Sequence, residues 1–172
     1  VRAGAICYLD EVVEARSDVL TVIHPLTDDR RILPLERLGE ELDCPDEFLI
    51  VISYNPGYQS VTRELKESTR QRFVSLAFDF PEPAIEAEIL VQETGCDAEL
   101  AATLVRMGQA SRNLRSHGLK EGASTRLLVY AAGLIQAGLP IDEACQATLV
   151  HSLTDDGEMV RALQELVRSV LG

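Results

Sequence analysis

The sequence predicts an α/β region followed by an all-helical region, and three observations support this fold class. Residues 4–9 and 48–52 are continuous β-rich runs, and each is followed directly by polar residues. Such runs without alternation are typical of strands buried on both faces, as in a parallel sheet. After Pro83 no β-rich run remains, and apolar residues recur with helical spacing instead.

Three further elements are expected in the first region. Residues 12–23 predict a short helix after the first strand, and residues 28–36 predict a turn and a hairpin-like insert. Residues 73–78 form a third β-rich run, which we expect to be another strand of the sheet. The domain boundary is placed near Phe80, which gives a region of residues 1–80 and a helical region of residues 81–172.

The second region carries start and stop signals for several helices. Pro83 suits a first helical turn, where its missing N–H costs nothing, and Gly95 suits the end of that helix. Asp97 and Ser124 are expected to cap the next two helices. The Ser124 helix ends at Gly138, and Pro140 and Asp142 open a fourth helix. Residues 159–170 carry apolar residues at the spacing of an amphipathic last helix.

Composition excludes some classes of function. The chain has 172 residues, 16 Lys and Arg against 28 Asp and Glu, and a net charge of −12. This balance argues against broad nucleic-acid binding, which needs a positive surface. No apolar run approaches the roughly 18 residues of a membrane span. The cysteines stand far apart without a C-x-x-C pair, which favours reduced, buried thiols in a cytoplasmic protein: Cys7, Cys44, Cys96 and Cys145.

Asp10 and Glu11 directly follow the first predicted strand. Carboxyl ends of parallel strands are where open α/β sheets bind ligands. One carboxylate there can hold Mg²⁺, directly or through water, and its neighbour can orient or deprotonate an attacking water. The alternative is that this strand ends in an ordinary polar turn.

Asn55 follows the second predicted strand and is expected to reach the same crevice. Its amide can hold a nucleophilic water or a phosphate oxygen. The alternative is that Asn55-Pro56-Gly57 is turn chemistry only.

Three arginines are candidates for binding a phosphate. Arg70 and Arg72 precede the third β-rich run, and a rigid Arg can neutralise charge on a transferring phosphoryl group. Their alternative is surface pairing with Glu64 and Glu67. Arg126 lies in the first turn of the Ser124-capped helix, where a cation opposes the helix dipole and an anionic ligand would resolve the conflict. Its alternative is a solvated side chain.

Taken in order, these segments resemble the MoxR branch of the AAA+ ATPases and, more narrowly, the CbbQ/NirQ/NorQ family. Residues 5–11 are similar to the Walker B strand, and Asn55 occupies the sensor 1 position. Arg72 matches the arginine finger, with Arg70 a second candidate, and Arg126 matches the sensor 2 arginine. Residues 124–131 lean toward the CbbQ members of the family.

The resemblance implies the C-terminal part of a P-loop AAA+ parallel-sheet core followed by an all-helical lid domain. It implies an ATPase that uses ATP and Mg²⁺ and assembles as a hexameric ring. Asp10 would position Mg²⁺, Glu11 would polarise water and Asn55 would orient it. Arg72 would act on a neighbour's nucleotide, and Arg126 would report nucleotide state to the lid.

The resemblance also implies a client protein. CbbQ members work with CbbO, a partner with a von Willebrand factor A (VWA) domain, to release inhibitors from rubisco; this activity is our first expectation. The alternatives are maturation of nitric oxide reductase, as for NirQ/NorQ members with a NorD-type partner, and a non-catalytic acidic interaction module. The insert at residues 30–36 would correspond to a hairpin before sensor 1 that touches the pore or the partner.

The family's phosphate-binding Walker A motif, GxxxxGK[ST], is not found in this sequence. We expect that loop, its strand and the helix before Walker B to lie upstream of Val1. Because phosphate binding depends on the loop's N–H groups and lysine, we expect residues 1–172 alone to bind ATP poorly and not to hydrolyse it.

Overall fold

The computed structural model of the protein describes residues 1–15, 17–55 and 65–172, with backbone only at residues 17–19. It divides into two compact units, Val1–Ala77 and Phe78–Gly172.

The first unit is built on two short pairs of strands. Strands β1 (Ile6–Leu9) and β4 (Leu49–Ile52) pair in parallel, with Ile6 opposite Leu49 and Leu9 opposite Ile52. Strands β2 (Ile32–Leu35) and β3 (Glu40–Asp43) form an antiparallel hairpin, which lies between β1 and β4 in the sequence. The predicted parallel strands are therefore confirmed. A hairpin insert is also present, but its second strand, Glu40–Asp43, lies beyond the predicted range of residues 28–36.

Helices in the first unit are short. A 3₁₀ turn spans Val12–Glu14, helix α1 spans Ser17–Ile23, a second 3₁₀ turn spans His24–Leu26, and helix α2 spans Glu67–Arg70. The single helix predicted over residues 12–23 is wrong, because the backbone leaves helical geometry at Ala15, which is extended. Two small cores hold the unit together, and their buried members are Val12, Val13 and Leu65 in one, and Leu26, Cys44 and Phe48 in the other.

Two expectations about the sheet are wrong. Residues 74–80 form no strand: Val74 and Phe78 are 96% and 92% exposed, because no strand in the described part of the chain pairs with them. A strand needs a ladder partner for its backbone groups, whatever its own propensity. The β1–β4 pair is also not buried on both faces, since Ile6 and Tyr8 on β1 are exposed. Its covered face packs toward Val13 and Leu65.

The second unit is helical, as predicted. Its helices are α3 (Pro83–Thr94), α4 (Ala98–Asn113), α5 (Thr125–Gln136), α6 (Ile141–Cys145) and α7 (Gly157–Leu171); a 3₁₀ turn spans Leu114–His117 and a π-helical turn spans Gln146–Val150. Asp97 caps α4 by accepting from the Leu100 N–H, Ser124 caps α5 by accepting from the Leu127 N–H, and Gly95 ends α3 in the left-handed conformation. These caps confirm the predicted helix boundaries.

One apolar core runs through the second unit. Its fully buried members include Leu90, Leu104, Met107, Leu128 and Leu163. Cys44, Cys96 and Cys145 are buried and Cys7 is half-buried, all as free thiols. Across residues 1–15, 17–55 and 65–172, no helix combines the length and apolar character needed to cross a lipid bilayer.

Candidate functional site

The parallel pairing of β1 and β4 brings two polar segments to one edge of the sheet. Because Leu9 lies opposite Ile52, residues 10–11 and 53–55 leave their strands at the same end. The Ser53 N–H donates to the Leu9 carbonyl at 3.0 Å, and the Val12 N–H donates to the Ser53 carbonyl at 3.0 Å. The ladder therefore continues past both strands and holds the two segments side by side.

Asp10 accepts two side-chain hydrogen bonds on one oxygen. The Tyr8 hydroxyl donates to Asp10 Oδ1 at 2.9 Å, and the Ser53 hydroxyl donates to the same atom. These two bonds, that from Ser53 foremost, lower the pKa of Asp10 below its ordinary value of 3.8. Asp10 is therefore ionised at neutral pH.

Glu11 is held at both its backbone and its side chain. Its φ of 48° is left-handed, a conformation that is uncommon for residues other than glycine and is frequent at functional sites. Its N–H donates to the Ser53 hydroxyl at 3.2 Å, and Asn55 Nδ2 donates to Glu11 Oε1 at 2.7 Å. The Glu11 carboxylate is thus oriented by the Asn55 amide, which was expected to lie in the same crevice.

Ser53 is a site residue to which the sequence analysis assigned no role. Its hydroxyl donates to the Asp10 carboxylate and accepts from the Glu11 N–H, so it links the two residues. A hydroxyl residue directly after a parallel strand, two positions before Asn55, was the available signal. Pro56 and Gly57, which belong to the predicted turn, lie outside the described residues.

The acids at this edge suit Mg²⁺ bound by one or two carboxylates rather than by a cage of side chains. Among the described residues, no group of three or more His, Cys, Asp or Glu side chains can enclose a metal ion. Mg²⁺ does not require such a cage, because it is commonly held by one or two carboxylates, waters and substrate phosphates. The ionised Asp10 carboxylate fits that mode of binding.

Arg70 and Arg72 lie at and just beyond the end of α2. Both are exposed. The pKa of Asp28 is lowered to about 2, mainly by its hydrogen bond with Arg30 and to a smaller extent by the Arg72 charge, so Arg72 interacts with an acid of the same unit. Arg72 Nη1 donates to the Ser68 carbonyl, while Gln71 rather than an arginine contacts Glu67, at 3.3 Å. Pairing of the arginines with Glu67 is therefore not observed, and Glu64 lies outside the described residues.

Helix α2 is anchored through Thr69, which is 1% exposed. Thr69 Oγ1 lies 2.9 Å from His24 Nε2, within hydrogen-bond distance. Burial, with a contribution from the nearby Arg72 charge, lowers the pKa of His24 below 6.5. A neutral His24 thus fixes the short helix that ends at Arg70, two residues before Arg72.

Arg126 belongs to the second unit, where it is exposed in the first turn of α5. That turn contains no acidic residue to offset the unfavourable interaction of its charge with the helix dipole. The structure therefore brings Asp10, Glu11 and Asn55 together, places Arg70 and Arg72 in the same unit, and places Arg126 in the other.

Comparison with known proteins finds two family models along the chain. Residues 1–73 match the AAA domain of the dynein-related subfamily, and residues 86–170 match the CbbQ/NirQ/NorQ C-terminal domain. In this order they confirm the predicted fold class, part of an AAA+ α/β core followed by an all-helical domain.

Three curated relatives are similar over nearly the whole chain. Protein NorQ of Paracoccus denitrificans is 55% identical over 100% of this chain and 64% of its own length. Denitrification regulatory protein NirQ of Pseudomonas aeruginosa is 57% identical over 97% of this chain and 64% of its own length. Protein CbbQ of Hydrogenophilus thermoluteolus is 53% identical over 98% and 63%, respectively. The chain therefore spans a little under two thirds of these relatives, and the three are similar to it to nearly the same degree.

Proposed function

This chain belongs to the CbbQ/NirQ/NorQ family of AAA+ proteins, and from that premise we propose that it is the catalytic and lid portion of an ATP-driven motor that remodels a client protein. One observation carries the proposal: two carboxylates and an amide meet at the carboxyl ends of paired parallel strands. That edge is where α/β sheets bind ligands.

Asp10 and Glu11 divide the chemistry between them. Asp10, whose pKa is lowered by Ser53 and Tyr8, would hold Mg²⁺ directly or through water; the bound ion would neutralise charge on the phosphates. Glu11 would act as the base for an attacking water. Asn55 can hold both the Glu11 carboxylate and that water, because an amide carries a donor and an acceptor.

The arginines would contact bound nucleotide within a hexameric ring. Arg72, with Arg70 as the second candidate, would reach the nucleotide of the neighbouring protomer and neutralise charge on the transferring phosphoryl group. The exposure of both side chains supports this role. Arg126, in a helical lid of residues 81–172, would sense nucleotide at the N-terminus of α5.

An ATPase assay on the intact protein tests this proposal. Glu11→Gln is expected to reduce kcat by about 10²-fold or more, the usual contribution of a general base, while nucleotide binding is retained. ATP with Mg²⁺ is expected to shift the oligomer mass of the wild-type protein. Unchanged turnover in Glu11→Gln, together with an oligomer mass insensitive to nucleotide, would instead support a non-catalytic interaction module.

For the client, we put rubisco first, acted on together with a VWA-domain partner of the CbbO type. Its support is the CbbQ-like segment at residues 124–131 and the 53% identity to a protein named CbbQ. Nitric oxide reductase, with a NorD-type partner, is the second candidate; identities of 55% and 57% to NorQ and to a denitrification regulatory protein favour it.

A reconstitution experiment distinguishes the two candidate clients. The intact protein is combined with each partner and assayed for ATP-dependent recovery of inhibitor-bound rubisco and for maturation of nitric oxide reductase. Recovery of rubisco alone supports the first candidate, and maturation of the reductase alone overturns it in favour of the second.

A further inference from the structure

A buried ion pair lies beside the start of the helix that carries Arg126. Arg112 Nη1 and Nη2 donate to Glu86 Oε2 and Oε1 at 2.8 and 2.6 Å. The Glu86 side chain is fully buried and that of Arg112 is 11% exposed. Charges at this depth are tolerated only when their remaining hydrogen-bonding groups are also satisfied.

The remaining bonds of this pair lead to the start of α5. Arg112 Nε donates to the Ala123 carbonyl at 2.9 Å, and the Thr125 hydroxyl donates to Glu86 Oε1 at 2.7 Å. Ala123 precedes the Ser124 cap, and Thr125 is the first residue of α5. The pair therefore ties helices α3 and α4 to the residues on either side of the Ser124 cap, directly before Arg126.

Further contacts with α4 hold the same segment. The Ser111 hydroxyl accepts from the Ala123 N–H at 2.9 Å and donates to the Gly108 carbonyl at 2.6 Å. At Gly122 an added Cβ would lie 2.5 Å from the Arg112 Cα, so the chain passes against α4 with no room for a side chain. Arg112 Cζ lies over the Phe80 ring, 3.7 Å from the ring centroid.

We infer that Glu86, Arg112 and Thr125 are positioning residues for Arg126, which fix the first turn of α5 so that the Arg126 guanidinium is presented to bound nucleotide. This inference rests on the proposed function, since it assigns a purpose to the placement of Arg126. A cation in a first helical turn opposes the helix dipole, so that turn needs support from outside the helix. A buried ion pair is by itself weak evidence for stability. A geometric role accounts for a pair that bonds the residues before and after the cap of one helix.

The test removes one hydroxyl without changing shape. Thr125→Val in the intact protein keeps a β-branched side chain at the first position of α5 but deletes the bond to Glu86. The loss of a hydrogen bond to a charged group loosens the first turn of α5 and with it the position of Arg126. We therefore expect the KM for ATP to rise about 5-fold while kcat changes less than about 2-fold. Thr125→Ser restores the hydroxyl and is expected to return the KM to the wild-type value.

Thr148→Val is the matched control. Thr148 is a buried threonine of the helical unit, whereas Thr125 is half-buried, and the Thr148 hydroxyl donates to the Ala144 carbonyl at 2.7 Å rather than to the ion pair. Its KM for ATP is expected to equal that of the wild type, whatever its melting temperature. Arg126→Ala, measured in parallel, reports whether Arg126 acts on nucleotide at all.

Each outcome decides between the two proposals. If Arg126→Ala leaves the KM for ATP unchanged, the proposed role of Arg126 fails and the inference fails with it. If Arg126→Ala raises the KM but Thr125→Val does not, only the inference is overturned. Equal effects of Thr125→Val and Thr148→Val, or no rescue by Thr125→Ser, would show a purely structural role and would also overturn it.

Discussion

Asn55 Nδ2 lies 2.7 Å from Glu11 Oε1, although the two residues are 44 positions apart in the chain. The parallel register of β1 and β4 creates this contact, because it brings the ends of both strands to one edge. The amide thereby orients the carboxylate that we propose as the general base.

Replacing Asn55 is expected to impair turnover more than binding. Asn55→Ala removes the donor that orients Glu11, so we expect kcat for ATP hydrolysis to fall roughly 10²-fold, the lower range for general-base catalysis. Steady-state ATPase assays and binding of a fluorescent nucleotide measure the two effects. Asn113→Ala, at the end of α4, is the control and should behave as wild type. A large loss of binding with unchanged kcat would contradict the role given to Asn55.

Removing the Ser53 hydroxyl is expected to raise the pKa of Asp10. The bond from Ser53 is the main cause of the lowered pKa, so in Ser53→Ala the value should move up toward 3.8. A lowered carboxyl pKa stabilises the fold at pH above the ordinary value and loses that effect as pH falls through the folded value. The variant should therefore lose stability at neutral pH and vary less with pH in the acid range below 3.8.

An NMR titration of the Asp10 carboxyl carbon measures this pKa directly. Ser53→Thr keeps the hydroxyl and serves as the control, with the wild-type pKa expected. An unchanged Asp10 pKa in Ser53→Ala would show that the Ser53 hydroxyl does not lower it.

The Glu86–Arg112 pair should show strong coupling in unfolding experiments. Glu86→Leu leaves Arg112 buried without its partner, at a cost of about 3–5 kcal/mol in the free energy of unfolding. The double variant Glu86→Leu with Arg112→Met removes both charges and should be more stable than Glu86→Leu alone. Urea unfolding followed by circular dichroism gives the comparison. A double variant whose loss equals the sum of the single losses would exclude coupling.

Two glycines of the helical unit should respond oppositely to alanine. Gly122→Ala places a Cβ 2.5 Å from the backbone of Arg112, so we expect the unit to lose roughly 1–3 kcal/mol of stability, as in overpacked sites. Gly133, within α5, has open space around an added Cβ, and Gly133→Ala should gain up to about 1 kcal/mol from helix propensity. Thermal unfolding of both variants provides the measurement, and a Gly122→Ala protein as stable as wild type would refute the close approach.

Local signals were sufficient for much of the fold. The caps at Asp97 and Ser124 and the left-handed end at Gly95 depend on side chains within a few residues of each helix end, so the sequence predicted them correctly. The candidates Asp10, Glu11 and Asn55 were likewise found by their positions after β-rich runs, because parallel strands end at a common edge.

What the amino-acid sequence determined by itself was therefore the two parallel strands, the helix boundaries of the second unit and the identity of the polar residues at their ends, since these depend on near neighbours. Only the tertiary structure decided that residues 74–80 form no strand, because a strand requires a partner from elsewhere in the chain. It also decided that Glu86 is a buried acid and that Ser53 joins Asp10 to Glu11. Both depend on hydrogen-bond partners 26 to 43 positions away, and such partners become neighbours only when the chain is packed.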